Sequence, residues 1–179
     1  MPSAEPAATL VYSQANNFHE RHPMEDNTLT LAIAVDGSET ALQAVRQGIA
    51  LVQAGLNAEI VLLHVQEPAS LLELATQDSD LIAGAVIDAG EDLMATAAAL
   101  LQAAQLPYRT EIALGEPATV LLDLAENLNA CMIILGARGV GTLRRALMGS
   151  VSQAVLNRAS LPVLIVKPEE EKEADSADE

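Results

Sequence analysis

Apolar residues in this chain of 179 residues fall into short runs, separated by stretches in which they recur at helical spacing. Four mainly apolar runs, at residues 28–35, 58–65, 131–135 and 163–166, are typical of strands that are covered on both faces. A fifth run, Tyr108 to Leu114, alternates apolar and polar residues. This alternation predicts a less buried strand at a sheet edge.

The stretches between these strands predict helices. After Ser38, a candidate N-cap, apolar residues recur on one helical face up to the closing Gly55: Leu42, Val45, Ile49 and Val52. Pro117 is well placed to open a helix over residues 118–128. Residues 70–106 are helical in composition, but Gly84 and Gly90 predict a short helix or loop ahead of a long helix.

Strands and helices therefore alternate from about residue 28 to residue 167. This order predicts one α/β domain, an open five-stranded parallel sheet with helices on both faces and right-handed crossovers. Residues 1–27 are polar and show no sustained period, so we expect a mobile N-terminal arm. Residues 168–179 carry seven acids and one lysine, which predicts an acidic disordered tail.

Composition restricts the function classes. A net charge of −16 argues against a nucleic-acid partner, because phosphate backbones require clustered Lys and Arg. No apolar run approaches the roughly 20 residues of a membrane helix, and the N-terminus lacks the pattern of a signal peptide. The single cysteine, Cys131, excludes an internal disulfide and is expected to be a small core residue. We therefore expect a cytoplasmic protein without a membrane partner.

The positive charge is concentrated in one segment. Residues 127–168 contain no Asp or Glu and carry a net charge of +5. The five basic residues of the segment are Arg138, Arg144, Arg145, Arg158 and Lys167. A local positive region in an acidic protein favours a small anionic ligand over a polymer.

The same segment contains a glycine-rich loop between a strand and a helix. A P-loop is excluded because no Gly-Lys-Ser/Thr triplet occurs, and the dinucleotide fingerprint fails at Arg144, after Gly139-Val140-Gly141. What remains is the spacing G-x2-G-x9-G-S of Gly136, Gly139, Gly149 and Ser150. Glycines allow the backbone to approach a ligand closely, and a helix start offers N–H groups to a phosphate.

We interpret Ser150 as the start of a capping box with Gln153. Arg144 and Arg145 are secondary candidates for phosphate contact. Asp36, at the tip of the first strand, is either a turn-former or a carboxylate for a ribose, because ligands of such sheets bind beyond the carboxyl ends of the strands. We interpret His64 as a structural residue of its strand, and the spacing of His19 and His22 as chance.

Several segments together resemble the universal stress protein family. They are V-D-G-S-E-T-A at residues 35–41, L-L-H-V at 62–65, G-E-P-A at 115–118, and G-A-R-G-x9-G-S-V-S followed by L-P-V-L-I-V-K. The resemblance covers residues 29–167. It implies a Rossmann-like fold of the adenine nucleotide alpha hydrolase-like type, strand order 3-2-1-4-5, and a homodimer through the last strand. It also implies that members with this glycine pattern bind ATP.

The resemblance further implies a set of nucleotide contacts. Asp36 would bind the ribose, Ala34 and Val35 would flank the adenine, and the backbone of Val65 would face the adenine edge. Leu135, Gly136, Arg138 and Gly139 would line the nucleotide and its phosphates. Gly149, Ser150, Val151 and Ser152 would hold the phosphates through N–H and hydroxyl groups. ATP, or AMP or ADP, would bind, with Mg²⁺ accompanying the triphosphate.

Three functions follow from these expectations. The first is an ATP-binding regulatory protein of the stress response, in which the nucleotide controls dimerisation or partner choice. The second is a slow ATPase or a phosphoryl or nucleotidyl transferase, although the loop offers no carboxylate, lysine or histidine for catalysis. The third is an adaptor that acts through its arm and tail without a nucleotide.

Overall fold

The structure is a computed structural model that describes residues 11–16, 28–67, 79–139 and 148–168. The described strands are β1 (Val11–Asn16), β2 (Leu29–Ala34), β3 (Ala58–Gln66), β4 (Tyr108–Leu114), β5 (Met132–Gly136) and β6 (Val163–Val166). The described helices are α1 (Glu39–Gln53), α2 (Ser79–Ala103), α3 (Pro117–Asn127) and α4 (Ser150–Arg158).

The six strands form one sheet in the order β1-β4-β3-β2-β5-β6. Strands β2 to β6 are parallel, and their order confirms the predicted 3-2-1-4-5 arrangement. Strand β2 pairs with β3 on one side and with β5 on the other. After β2 the chain adds β3 and β4 on one side of β2, and it then crosses over to add β5 and β6 on the other side. This reversal of direction opens a crevice at the carboxyl ends of β2 and β5.

Each face of the parallel strands packs against two helices. One core contains Leu31, Ile33 and Leu62 with residues of α1 and α2, and the other contains Ala32, Val61 and Leu63 with residues of α3 and α4. Alternate residues of one strand thus enter different cores, as the two-residue period of a strand requires. This double coverage explains why β2, β3 and β5 consist mainly of apolar residues.

Strand β1 corrects the prediction of an unstructured arm over residues 11–16. It pairs antiparallel with β4 along six residues, from Val11 opposite Ala113 to Asn16 opposite Tyr108. The sequence V-Y-S-Q-A-N has no apolar period to reveal it, so its strand conformation comes from pairing with the otherwise open edge of β4. The remaining residues of the arm, and residues 169–179 of the predicted tail, lie outside the described residues.

Helix α2 is the predicted long helix, but it begins ahead of both glycines that were expected to interrupt it. Residues 70–78, over which the short helix or loop was also expected, lie outside the described residues. Helix α2 runs through both Gly84 and Gly90 as one helix of 25 residues. A Cβ on Gly90 would lie 2.9 Å from Ile112 Cγ2 and 3.2 Å from His64 Cδ2. Gly90 therefore brings the helix close to the sheet and does not end it.

No helix in the described ranges is long and apolar enough to cross a membrane. His19, His22, Arg144 and Arg145, which the sequence singled out as candidates, lie outside the described residues.

Candidate nucleotide site

The first wall of the site is the turn between β2 and α1. Asp36 Oδ1 accepts hydrogen bonds from the Ser38 N–H at 3.0 Å and from the Ser38 hydroxyl at 2.6 Å. Gly37, with φ of 79°, completes the turn, and Ser38 Oγ caps α1 by accepting from the Ala41 N–H at 3.2 Å. Asp36 is therefore a turn-former through Oδ1, and this turn fixes where its second oxygen lies.

That second oxygen lies against the glycine-rich loop. A Cβ added to Gly139 would overlap Asp36 Oδ2. The absence of a side chain at Gly139 thus lets the loop backbone pass directly beside the carboxylate. The fold brings together two residues that are 103 positions apart in the sequence.

The carbonyl groups of three successive residues at the start of the loop accept hydrogen bonds that hold the loop in place. The Ser152 hydroxyl donates to the Gly136 carbonyl at 2.7 Å, and the Gly149 N–H donates to the Ala137 carbonyl at 2.7 Å. The Thr40 hydroxyl donates to the Arg138 carbonyl. These donors come from α4, from the far end of the loop and from α1, so the backbone of residues 136–138 is held from three directions.

Helix α4 begins differently from the prediction. Its N-cap is Gly149, with extended backbone, and Ser150 is already the first helical residue. The Gly149 carbonyl accepts the first helical bond, from the Gln153 N–H at 3.0 Å, so the expected capping box of Ser150 is wrong by one position. No side chain of the described residues caps this helix, whereas Ser38 caps α1 and Glu116 caps α3.

The uncapped start leaves hydrogen-bond donors for a ligand. The N–H groups of Ser150, Val151 and Ser152 precede the first residue that can bond within the helix. They coincide with the positive end of the helix dipole, a combination that binds anions. Ser152 is 5% exposed and its hydroxyl proton is used on the Gly136 carbonyl, so Ser152 offers its backbone N–H as the donor.

All twelve predicted site residues line one cleft, which encloses about 190 Å³ and opens to solvent: Ala34, Val35, Asp36, Val65, Leu135, Gly136, Arg138, Gly139, Gly149, Ser150, Val151 and Ser152. Their contact with a ligand stays a prediction. Four further lining residues were missed, namely Ala41, Leu63, Pro117 and Leu121. Leu63 shares a strand face with Val65, which was a predicted site residue, so spacing offered a signal for Leu63.

The lining combines apolar and charged groups. Leu63, Val65 and Leu121 supply apolar surface, as an aromatic base requires. Asp36 and Arg138 are the charged side chains among the described lining residues. The cleft therefore presents an apolar area, a carboxylate and an anion-binding helix start within one space.

His64 lies behind this wall and is 4% exposed. Its Nδ1 is 2.8 Å from the Val35 carbonyl and its Nε2 is 3.4 Å from Gln66 Oε1. This is the structural role that the sequence favoured, since the ring joins β3 to the end of β2.

Two titratable groups, one at the start of α3 and one just before β5, have shifted pKa values. Hydrogen bonding from Thr119, and further bonds at the start of α3, lower the pKa of Glu116. Burial raises the pKa of the Cys131 thiol, which packs against the core, so it stays protonated at neutral pH. Neither side chain lines the cleft.

The sequence and fold match known proteins. A sequence model of the universal stress protein family matches residues 29–167. Universal stress protein MJ0531 of Methanocaldococcus jannaschii is 29% identical over 138 residues, which cover 76% of this chain and 81% of that protein.

Two solved structures share the fold. The hypothetical protein MJ0577 superposes with a TM-score of 0.69 at 25% identity, covering 79% of this chain and 97% of that one. A universal stress protein family protein from Arabidopsis thaliana with AMP bound superposes with a TM-score of 0.56, covering 84% of this chain and 99% of that one. At 20% identity, the second likeness shows the fold alone.

Proposed function

Because the chain belongs to the universal stress protein family, we propose that it binds an adenine nucleotide in this cleft and acts as a nucleotide-binding regulatory protein of the stress response. The observation that carries the proposal is the meeting of Asp36 and the uncapped start of α4 across one cleft with apolar walls. The AMP bound to the Arabidopsis family member supports the choice of ligand.

Each part of the cleft suits one part of the ligand. Asp36 would accept hydrogen bonds from the ribose hydroxyls. Ala34 and Val35 would flank the adenine, and the backbone of Val65 would face the adenine edge. The N–H groups of Ser150 and Val151 would donate to the phosphates, as expected at an uncapped helix start. The positive charge of residues 127–168 would favour each added phosphate.

ATP is the nucleotide that we propose for the resting protein, with Mg²⁺ bound through the phosphates. The described residues contain no group of three or more His, Cys, Asp or Glu that could hold a metal ion by itself. Mg²⁺ commonly binds to nucleotide phosphates while keeping several waters, so the phosphates would supply its main ligands. The ion would neutralise part of the phosphate charge. Among the described lining residues, Asp36 is the one that carries a carboxylate.

Replacing the cleft carboxylate tests the proposal. We expect Asp36→Ala to weaken the binding of AMP and ATP by about 10- to 100-fold, because hydrogen bonds to a charged group contribute about 1.5–3 kcal/mol. Isothermal titration calorimetry on protein freed of copurified nucleotide measures the dissociation constants. Glu39→Ala is the matched control, since it removes an equal charge from an exposed pair with Arg46 outside the cleft.

Glu39→Ala should change either affinity by less than about twofold. The proposal fails if the wild-type protein shows no heat of binding with AMP or ATP up to about 1 mM. A wild-type protein that binds, together with an unaffected Asp36→Ala variant, would instead place the ribose elsewhere.

We also propose that the chain forms a homodimer through β6. The Pro162 and Val166 carbonyls accept bonds from β5, so the backbone groups of Val163 and Ile165 alternate to the opposite, outer edge. β1 pairs with β4 on the opposite side of the sheet, so β1 and β6 are the two edge strands of the described sheet, and β6 is the edge strand of its parallel part. All four β6 residues are apolar and only partly buried, a composition that favours pairing with another strand.

A proline at the outer edge should prevent this pairing. We expect Ile165→Pro to be monomeric where the wild type is dimeric, because proline removes an outward-facing N–H. Ile165→Ala loses the same side chain but keeps the N–H, so it should stay dimeric. Sedimentation equilibrium distinguishes one chain of 18.7 kDa from two. A dimeric Ile165→Pro variant with native secondary structure would contradict the proposed interface.

A further inference from the structure

The Thr40 side chain joins the two walls of the cleft. It is 9% exposed, its hydroxyl donates to the Arg138 carbonyl, and the same oxygen lies 3.1 Å from Ser38 Oγ. Ser38 Oγ in turn donates to Asp36 Oδ1. A continuous set of polar contacts thus runs from the proposed ribose carboxylate to the proposed phosphate loop.

We propose that Thr40 is a positioning residue for the phosphate loop, an inference that rests on the proposed nucleotide site. Thr40 does not line the cleft, so it acts through Arg138 and not through the ligand. The Gly136 and Ala137 carbonyls are held from the α4 side, by Ser152 and Gly149. The bond from Thr40 ties this loop to α1, and hence to the Asp36 turn.

The hydroxyl protons show where the Thr40 donor is directed. Ser38 and Thr40 have one hydroxyl proton each. The Ser38 proton is used on Asp36 Oδ1, and the Thr40 proton is used on the Arg138 carbonyl. Thr40 Oγ1 therefore faces Ser38 Oγ, 3.1 Å away, only as an acceptor, and its single donor is directed at the loop.

Removing the hydroxyl should therefore affect phosphate binding more than nucleoside binding. Thr40→Val keeps the branched shape but replaces the donor with a methyl group beside the Arg138 carbonyl. We expect affinity for ATP to fall about tenfold, because a buried acceptor loses its partner, and affinity for adenosine to fall less than about threefold. Thr40→Ser keeps the hydroxyl and should restore ATP binding.

The matched control is Thr119→Val. Thr119 also lies in the first turn of a helix and its hydroxyl bonds a neighbouring side chain, Glu116, but it is exposed and outside the cleft. Hydrogen exchange of the nucleotide-free protein gives a second readout. We expect the peptide covering residues 137–139 to exchange faster in Thr40→Val and to be unchanged in Thr119→Val.

The outcomes separate the two proposals. Equal losses of ATP and adenosine affinity in Thr40→Val, or no rescue by Thr40→Ser, would overturn the positioning role. Unchanged hydrogen exchange in Thr40→Val would overturn it too, even if the wild type binds no nucleotide. Faster exchange in Thr40→Val, with a wild-type protein that binds neither ligand, would retain the loop anchor and refute the proposed function.

Discussion

A Gly139→Ala variant is expected to bind AMP and ATP about tenfold more weakly than the wild type, with the fold retained. The added Cβ would overlap Asp36 Oδ2, which is the end of a side chain and can rotate away. Rotation breaks the bonds from Ser38 at 3.0 and 2.6 Å and moves the carboxylate from the proposed ribose position. The loss corresponds to about 1.4 kcal/mol, close to the lower end of the range of about 1.5–3 kcal/mol for a hydrogen bond to a charged group.

A double-mutant cycle tests this reason for the loss. In the Asp36→Ala background the carboxylate is gone, so Gly139→Ala should cost almost nothing further. Isothermal titration calorimetry on the four proteins gives the coupling between the two positions. Additive losses would mean that the methyl group added at position 139 acts on the phosphates directly and not through Asp36.

The parallel part of the fold could be predicted because its signals are local. Mainly apolar runs predicted β2, β3 and β5. Because the strands are parallel, the residues that follow β2 and β5 lie at the same edge of the sheet. Asp36 and Gly139 could therefore be assigned to one site without coordinates. The family resemblance supplied the strand order, which apolar periodicity does not specify.

The missed features depend on contacts between distant parts of the chain. β1 has no apolar period, and it becomes a strand because β4 offers an edge. Gly90 reads as a helix breaker, but it is needed where α2 approaches Ile112. Nothing near Thr40 in the sequence indicates its bond to the Arg138 carbonyl, which lies 98 positions away.

The start of α4 illustrates a smaller kind of error. Serine is a favoured N-cap, so Ser150 with Gln153 read as a capping box. The cap is instead Gly149, because its N–H is already bonded to the Ala137 carbonyl and its own carbonyl accepts from Gln153. The one-residue shift matters for function, since a side-chain cap would have occupied donors that an uncapped start offers to a phosphate.

The largest loss of stability is expected for Gly136→Ala. The added Cβ would lie 2.8 Å from both the Thr40 carbonyl carbon and Thr40 Oγ1, and 2.9 Å from Thr40 Cβ. The carbonyl carbon belongs to the first turn of α1, which Ser38 caps, so the backbone has little freedom to move. Such overpacking lowers the free energy of unfolding by about 1–3 kcal/mol, or roughly 4–8 °C in Tm for a loss near 2 kcal/mol.

Gly84→Ala is the matched control, since Gly84 lies in α2, is exposed, and a Cβ there would have no neighbour within 4 Å. It should raise stability by about 0.5–1 kcal/mol, the ordinary gain for glycine to alanine inside a helix. Urea unfolding followed by circular dichroism measures both variants. A Gly136→Ala protein as stable as the wild type would show that α1 can move away from β5. The packing of Thr40 on Gly136 would then be too loose to hold the Arg138 carbonyl, and the proposed positioning role would lose its physical basis.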